Sequence, residues 1–435
     1  MATRKLEALV GKKGKVDVEL LQPPAVQQPW TGAQGNIITL GGAEVVDPRD
    51  PKGERKIPDP FNIKVDAAGL ATAQKALVEA AQKVLGKMSD GGRPAYAFGG
   101  EGAQHGGKPL PQLLIDAGNA GFDVMQPSAN HIDLARCAVD AAYCAWVKAV
   151  HTAAGIPLLS VSVHMDAYLL MAAIHDPRAR EILGEDPKLT DEQLRTVLLH
   201  KMALILIGAA RLGIRALHLF WGQPGSVPLY GWPFHPAGGT NVKAMRALFV
   251  QIMKPLVRLA EQLGIFLCDE IHFGTIATNA DDYIAVWEEL GKPACLVLGF
   301  DPSHFWHGET WWQALDKLRK AGIKVILCHF KQTVLLAGRP MLSYQVDDRL
   351  RGMFFAQLAS TSGIVDMNAY AGQLTIPGTG LVEFWHGVCN LPIPGYAEAE
   401  DPHWATWPVL VSGVHYLQGL LGTMCLPTQH FTAEM

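Results

Sequence analysis

The stretches I-F-L-C-D-E-I-H (265–272), A-C-L-V-L-G-F-D-P-S-H (294–304) and I-K-V-I-L-C-H-F-K (323–331) decide how this chain folds. Each is an apolar run of strand length that ends at a carboxylate or an imidazole: Glu270, Asp301 with His304, and His329. A helix-length segment separates each from the next, the pattern of βα units feeding a parallel sheet. A fourth stretch, G-T-G-L-V-E-F (378–384), ends the series at Glu383 after a longer interval. In a closed barrel the C-terminal ends of neighbouring strands converge on one mouth. Three carboxylates and an imidazole there are hard and borderline donors, suited to Mn²⁺, Mg²⁺ or Co²⁺ rather than to a thiolate-seeking ion. A metal-dependent enzyme is expected.

Working outward, four more strand-like runs precede these: A-Y-A-F-G-G (95–100), F-D-V-M-Q-P (122–127), P-L-L-S-V-S-V-H (157–164) and R-A-L-H-L-F-W-G (215–222). A long apolar helix is expected over Ile132–Ala154. Another should open at Thr190, where Gln193 completes a capping box, and run to Gly213. Eight alternating units favour a (β/α)₈ TIM barrel over an open doubly wound sheet. Neither G-x-G-x-x-G after the first strand nor G-x-x-x-x-G-K-[ST] occurs, so dinucleotide and P-loop chemistry have no support.

The first 90 residues read as an extended arm rich in Pro and Gly, followed by a helix, and residues 91–435 as the barrel. The helix carries Leu70, Ala73, Leu77, Ala81 and Val84 on one face. The arm has little core of its own and packs either on the barrel or on a second subunit. More than fifty residues lie between His329 and Glu383, with a helix expected around Leu350–Ala359. Such long βα-loops commonly cover active sites, and Arg339, Tyr344 and Arg349 would reach substrate from there.

Composition excludes several classes. Of 435 residues 49% are hydrophobic and 18% charged, which fits a large core. A net charge of −4 without a Lys/Arg-rich segment argues against nucleic acid as a partner. No uninterrupted apolar run reaches membrane-spanning length, and the N-terminal M-A-T-R-K-L-E lacks a secretory core. Seven cysteines without a C-x-x-C pair suggest reduced thiols and a cytoplasmic location. Singly, the polar residues have plain explanations: an acid after a strand often caps the next helix. His164 and His218 read as structural histidines, and Trp306, Trp311 and Trp312 as packing.

The order Glu270, Asp301-x-x-His304, His329, then an acid after Gly-x-Gly resembles the xylose-isomerase-like superfamily of sugar isomerases and epimerases, across roughly residues 93–420. The resemblance implies that Glu270, Asp301, His329 and Glu383 hold a divalent ion, Mn²⁺ first, with Mg²⁺, Co²⁺ or Zn²⁺ as alternatives. It implies that His304 contacts substrate. Family members carry an arginine soon after the seventh-strand histidine, and here Lys331 or Arg339 would have to serve. The implied reaction is proton abstraction next to a carbonyl through an enediolate, with Glu270 and Glu383 moving the proton. The partner is then a small sugar or keto-sugar, and a homo-oligomer stays open. Competing readings are a 3-keto-glycoside lyase on the same site, an endonuclease IV-like phosphodiesterase, and a non-catalytic sugar-binding barrel.

Overall fold

The computed structural model describes residues 10–11, 15–16, 21–31, 36–40, 43–50, 52–174, 177–224, 238–306, 308–335, 353–400 and 406–425. Eight parallel strands form its centre: β1 (Tyr96–Glu101), β2 (Val124–Gln126), β3 (Ser160–Ser162), β4 (Ala216–Leu219), β5 (Phe266–Asp269), β6 (Leu296–Phe300), β7 (Val325–Phe330) and β8 (Ile393–Ala397). Neighbours in sequence are neighbours in the sheet, and β8 pairs with β1 from Ile393↔Tyr96 to Ala397↔Gly100. Between β2 and β3 a bridge from Ser128 to Ser162 completes the ring, with Ser162 N donating to Pro127 O at 2.9 Å. The fold is a (β/α)₈ barrel.

In chain order the helices are α1 (Ala67–Leu85), α2 (Leu110–Asn119), α3 (Leu134–Val139), α4 (Ala141–Ala154), α5 (His164–Ala172), α6 (Pro177–Leu183) and α7 (Asp191–Leu212). They continue with α8 (Gly238–Leu263), α9 (Ala280–Glu289), α10 (Trp311–Ala321), α11 (Met367–Leu374) and α12 (Trp407–Leu421). The capping box at α7 forms as expected: the Thr190 hydroxyl accepts from Gln193 N, and Gln193 Oε1 accepts from Thr190 N at 2.9 Å. By length and composition α7 is apolar enough to cross a membrane, but 61% of its apolar window is buried inside this fold. At Gly208 its backbone comes so close to α3 that a Cβ would sit 1.8 Å from Leu134 O.

Three expectations need correction. The helix over 132–154 is two helices, because Asp140 adopts extended geometry (φ −123°, ψ 103°) and its carboxylate caps α4 at Tyr143 N. The same carboxylate takes Gln28 N of the arm and Arg136 Nε, so the break anchors the arm. The helix expected around 350–359 gives way to a strand, Met353–Ala356, antiparallel to Gln332–Leu335. The third correction changes the site. The eighth strand is 393–397, not 380–384; Val382–Val388 is a short helical turn. Gly378 (φ 92°) and Gly380 (φ 109°) turn the chain into it, and the Glu383 carboxylate accepts from both their N–H groups at 2.5 and 2.9 Å. Glu383 is a cap at the wrong end of the barrel: Thr379 O receives Val325 N, the first residue of β7. His329 lies four residues further along that strand, roughly 13 Å away at the usual rise.

The arm packs on its own barrel. Trp30 lies over the Arg211 guanidinium at 4.3 Å and donates Nε1–H to Cys137 O at 3.1 Å. Helix α1 crosses the N-terminal end: Gln74 donates to Leu263 O just before β5, and Gln82 to Cys389 O just before β8.

Candidate active site and metal centre

The strand ends deliver polar groups, most of them buried, to the C-terminal mouth. Glu270 follows β5, and its N–H is tied to Leu219 O at 2.8 Å. Oε2 of its carboxylate lies 3.2 Å from His164 Nε2 and 3.5 Å from His218 Nε2, and Oε1 lies 2.6 Å from His304 Nε2. Asp301 follows β6 and caps the turn Pro302–His304 through Ser303 N at 2.8 Å. Its other oxygen is 2.9 Å from Lys331 Nζ and 3.4 Å from His304. His329 in β7 sits between β8 and β2: Nδ1 is 3.0 Å from Glu398 Oε2, and Nε2 donates to Gln126 Oε1 at 2.8 Å. Glu398 follows β8 directly, and its Oε1 accepts from Gln104 at 3.0 Å.

Lys331 brings a buried cation into this cluster. Only 1% exposed, it lies within 3.2 Å of Asp301, Glu398 and Glu400, and its ammonium is 3.1 Å from His304. Burial works to lower it, but Asp301, Glu398 and Glu400 hold its pKa well above the usual value. Burial likewise works to raise the carboxyls and is overcome. The His164 and His304 contacts hold Glu270 well below its ordinary value. Lys331 and His304 do the same for Asp301. Lys331 and His329 bring Glu398 down to about 2. His304 is held up to about 9 by Asp301 and Glu270 against burial and Lys331. Such displaced values are characteristic of functional clefts.

Among the residues expected from sequence, Glu270, Asp301, His304, His329 and Lys331 come together here, Glu383 does not, and Arg339 lies outside the described residues, as do Tyr344 and Arg349. Glu398 stands where Glu383 was expected. Its signal was present in I-P-G-Y-A-E-A-E (393–400), an apolar run ending in acids, but Pro392 and Pro394 disguise the strand. His164 and His218, read as structural, face Glu270; their rings pack at 4.5 Å, with Phe220 stacked on His164 at 4.6 Å. Neither nitrogen of the wholly buried His218 has a hydrogen-bond partner among the described residues. Its ring occupies the space over Gly299 in β6, where a Cβ would fall 2.2 Å from it.

The donor chemistry fits a divalent ion. Carboxylate and imidazole atoms of Glu270, Asp301 and His304, of Asp301, His329 and Glu398, and of His164, His218 and Glu270 lie within 4.8 Å of one another in each group. Gln126 Oε1 takes His329 Nε2–H, which leaves Nδ1 as the ring nitrogen that faces Glu398 and hydrogen-bonds its carboxylate; metal-binding histidines are commonly oriented through their second nitrogen in this way. The unpartnered His218 nitrogens and the lack of any thiolate in these groups agree with N/O ligation. The ammonium of Lys331 shares the same carboxylates.

No family model and no curated protein matches the chain. Solved structures similar to it are xylose-isomerase-like TIM-barrel proteins. A 3-keto-D-glucoside 4-epimerase from E. coli is 15% identical, with a TM-score of 0.46 over 74% of this chain and 99% of the other. A xylose isomerase domain protein from Planctomyces limnophilus is 18% identical, with a TM-score of 0.46 over 75% and 97%. A barrel protein of this kind from Mycobacterium smegmatis, in complex with magnesium, is 17% identical, with a TM-score of 0.44 over 72% and 89%. Likeness at this distance carries no functional argument, and the fold stands on the chain's own strand register.

Proposed function

We propose that the chain is a divalent-metal-dependent isomerase or epimerase of a small sugar or keto-sugar, working by proton abstraction next to a carbonyl. The observation that carries this reading is a pair of buried carboxylates, Glu270 and Glu398, both held ionised, on strand ends three positions apart around Asp301, His329 and Lys331. Glu270, Asp301, His329 through Nδ1, and Glu398 would hold the ion, Mn²⁺ first among Mg²⁺, Co²⁺ and Zn²⁺. Bound there, it would act as a Lewis acid for charge developing on the substrate oxygens.

The residues supply the rest. One of Glu270 and Glu398 accepts the carbon-bound proton. If the other returns a proton to the opposite face of the same carbon, the product is an epimer; a proton returned to the neighbouring carbon gives an aldose–ketose isomer. His304 and Lys331, both positively charged, donate to substrate oxygens. Phe220 and His272, stacked at 5.2 Å, place aromatic rings on the β4–β5 side of the site. Seven free cysteines support a reducing, cytoplasmic setting.

The early-strand histidines are the feature a phosphodiesterase of the endonuclease IV kind would require. The carboxylate-rich mouth and the net charge of −4 oppose that reading, because both repel a phosphodiester.

The test is exchange of a substrate C–H proton with solvent deuterium in the Mn²⁺-loaded protein. Glu270→Gln and Glu398→Gln should each slow exchange by about 10²–10⁴-fold, since an amide can still offer an oxygen ligand but cannot accept the proton. Wild-type rates in both variants would overturn the assignment.

A further inference from the structure

Helix α1 buries only part of its apolar face. Leu70 and Ala81 are covered, whereas Ala76, Ala80 and Val84 stay exposed, Val84 by 40%. Between α1 and α4 lies a cavity of about 350 Å³, within the size range of small-molecule sites, with the buried Ile156, Pro157 and Leu158 in its wall. Its one imidazole is neutral: His151 Nδ1 donates to Ile156 O at 3.0 Å, and burial lowers the ring to about 4. A second cavity, of about 420 Å³, lies where the arm meets α4 and α7 and is lined by Trp30, Ile37, Cys144 and Arg211. Ala73 and Lys148 line both, so the two adjoin at those residues.

Among the described residues no aspartate or glutamate lines either cavity, while Lys83, Lys148 and Arg211 do. Lys148 Nζ donates to Arg211 O at 2.8 Å, which uses one of its three N–H bonds. Arg211 sends its terminal nitrogens to the neutral oxygens of Asn36 and Ile38, and its Nε has no hydrogen-bond partner among the described residues. The Cys144 thiol senses the resulting field: its hydrogen bond with Cys137, together with Lys148 and Arg211, lowers it despite burial. Cations without a carboxylate partner beside an apolar cavity suit an anion with an apolar body.

We propose that this seam binds a small aliphatic monocarboxylate, its chain in the cavity along α1 and its carboxylate on Lys148. Arg211, 2% exposed, stands behind Lys148 as a second positive charge rather than as a contact. A monoanion matches because Lys148 is the exposed cation at the junction of the two cavities. The site is separate from the metal-binding mouth, since α1 crosses the opposite end of the barrel, ahead of β5 and β8.

The test is calorimetric titration of the Mn²⁺-loaded whole chain with decanoate, decan-1-ol and acetate. Decanoate should bind saturably at one site. Decan-1-ol, which lacks the charge, should bind about tenfold more weakly, the worth of one hydrogen bond to a charged group. Acetate, which lacks the chain, should bind weaker than decanoate by more than about a hundredfold. Lys148→Gln should bring decanoate down to the decan-1-ol level and leave decan-1-ol unchanged, a split that a merely structural role for Lys148 would not produce. Ala80→Trp, which fills the groove from an exposed helical position, should abolish binding of both at an unchanged urea midpoint. If its midpoint falls, the Lys148→Gln split decides alone. Absence of saturable decanoate binding, equal affinity for decanoate and decan-1-ol, or decanoate binding that survives Ala80→Trp, as binding at the metal ion would, overturns the proposal. So does a dimer in light scattering that Ala80→Trp dissociates, because the groove is then filled by a second copy of the chain.

Discussion

His304 concentrates the electrostatics of the mouth in one ring. With Glu270 Oε1 at 2.6 Å and Asp301 Oδ2 at 3.4 Å, it keeps its proton to about 9 instead of the ordinary 6.5, although burial and Lys331 work the other way. A raised folded-state pKa stabilises the native state fully below the unfolded value near 6.5, and that contribution is lost as pH rises through about 9. Glu398 has the opposite sign: lowered from 4.5 to about 2, it stabilises above 4.5 and loses its contribution as pH falls toward 2. In the metal-free protein the His304 and Glu398 contributions to the urea midpoint are both fully present only between about 4.5 and about 6.5, the first lost on the alkaline side and the second on the acid side. His304→Gln should flatten the alkaline limb relative to wild type and leave the acid limb in place. An alkaline limb equally steep in the variant would show that His304 does not hold its proton there. Legibility was uneven at this scale. Glu270, Asp301, His304 and His329 could be read because each directly follows or lies in an apolar run. Glu398 could not, since Pro392 and Pro394 interrupt the run that leads to it.

At the scale of the element, Glu383 shows how one local pattern can serve two purposes. Gly-x-Gly followed by an acid in an apolar run reads equally as a strand end or as a helix start. The positive φ angles of Gly378 and Gly380 settle it as the turn into a helical segment, with the carboxylate reaching back to the N–H groups of both glycines. Glu383→Ala should cost about 0.5–2 kcal/mol in chemical denaturation, as loss of a cap does. Mn²⁺ affinity measured by calorimetry should stay at its wild-type value; a large loss of affinity would return Glu383 to the metal site. The capping box at Thr190 could be read because both partners lie three residues apart. The end of α3 at Val139 could not, because Asp140 leaves the helical path only when the arm brings Gln28 N to its carboxylate.

Across the whole molecule, the arm is part of the barrel's stability. Arg211, 2% exposed, sends its two terminal nitrogens to Asn36 Oδ1 at 2.9 Å and Ile38 O at 2.6 Å, with Trp30 across its face. Removing residues 1–60 takes away both acceptors. The expected loss is about 3–6 kcal/mol, from two hydrogen bonds to a charged group at about 1.5–3 kcal/mol each. An unchanged urea midpoint would show that the arm adds nothing to the barrel, and light scattering of the same truncated protein reports whether the arm also joins subunits. By itself the sequence determined the alternation of strand and helix, the barrel class, seven of the eight strands and the acids and imidazoles at the ends of β5, β6 and β7. These follow from hydrophobic period and capping, which act over a few residues. Tertiary structure alone decided which acid completes the mouth and what faces His218. Those depend on closure of the ring, which brings Gln104 to within 3.0 Å of Glu398, 294 residues along the chain. In that dry interior, the neighbours across the barrel set each group's charge.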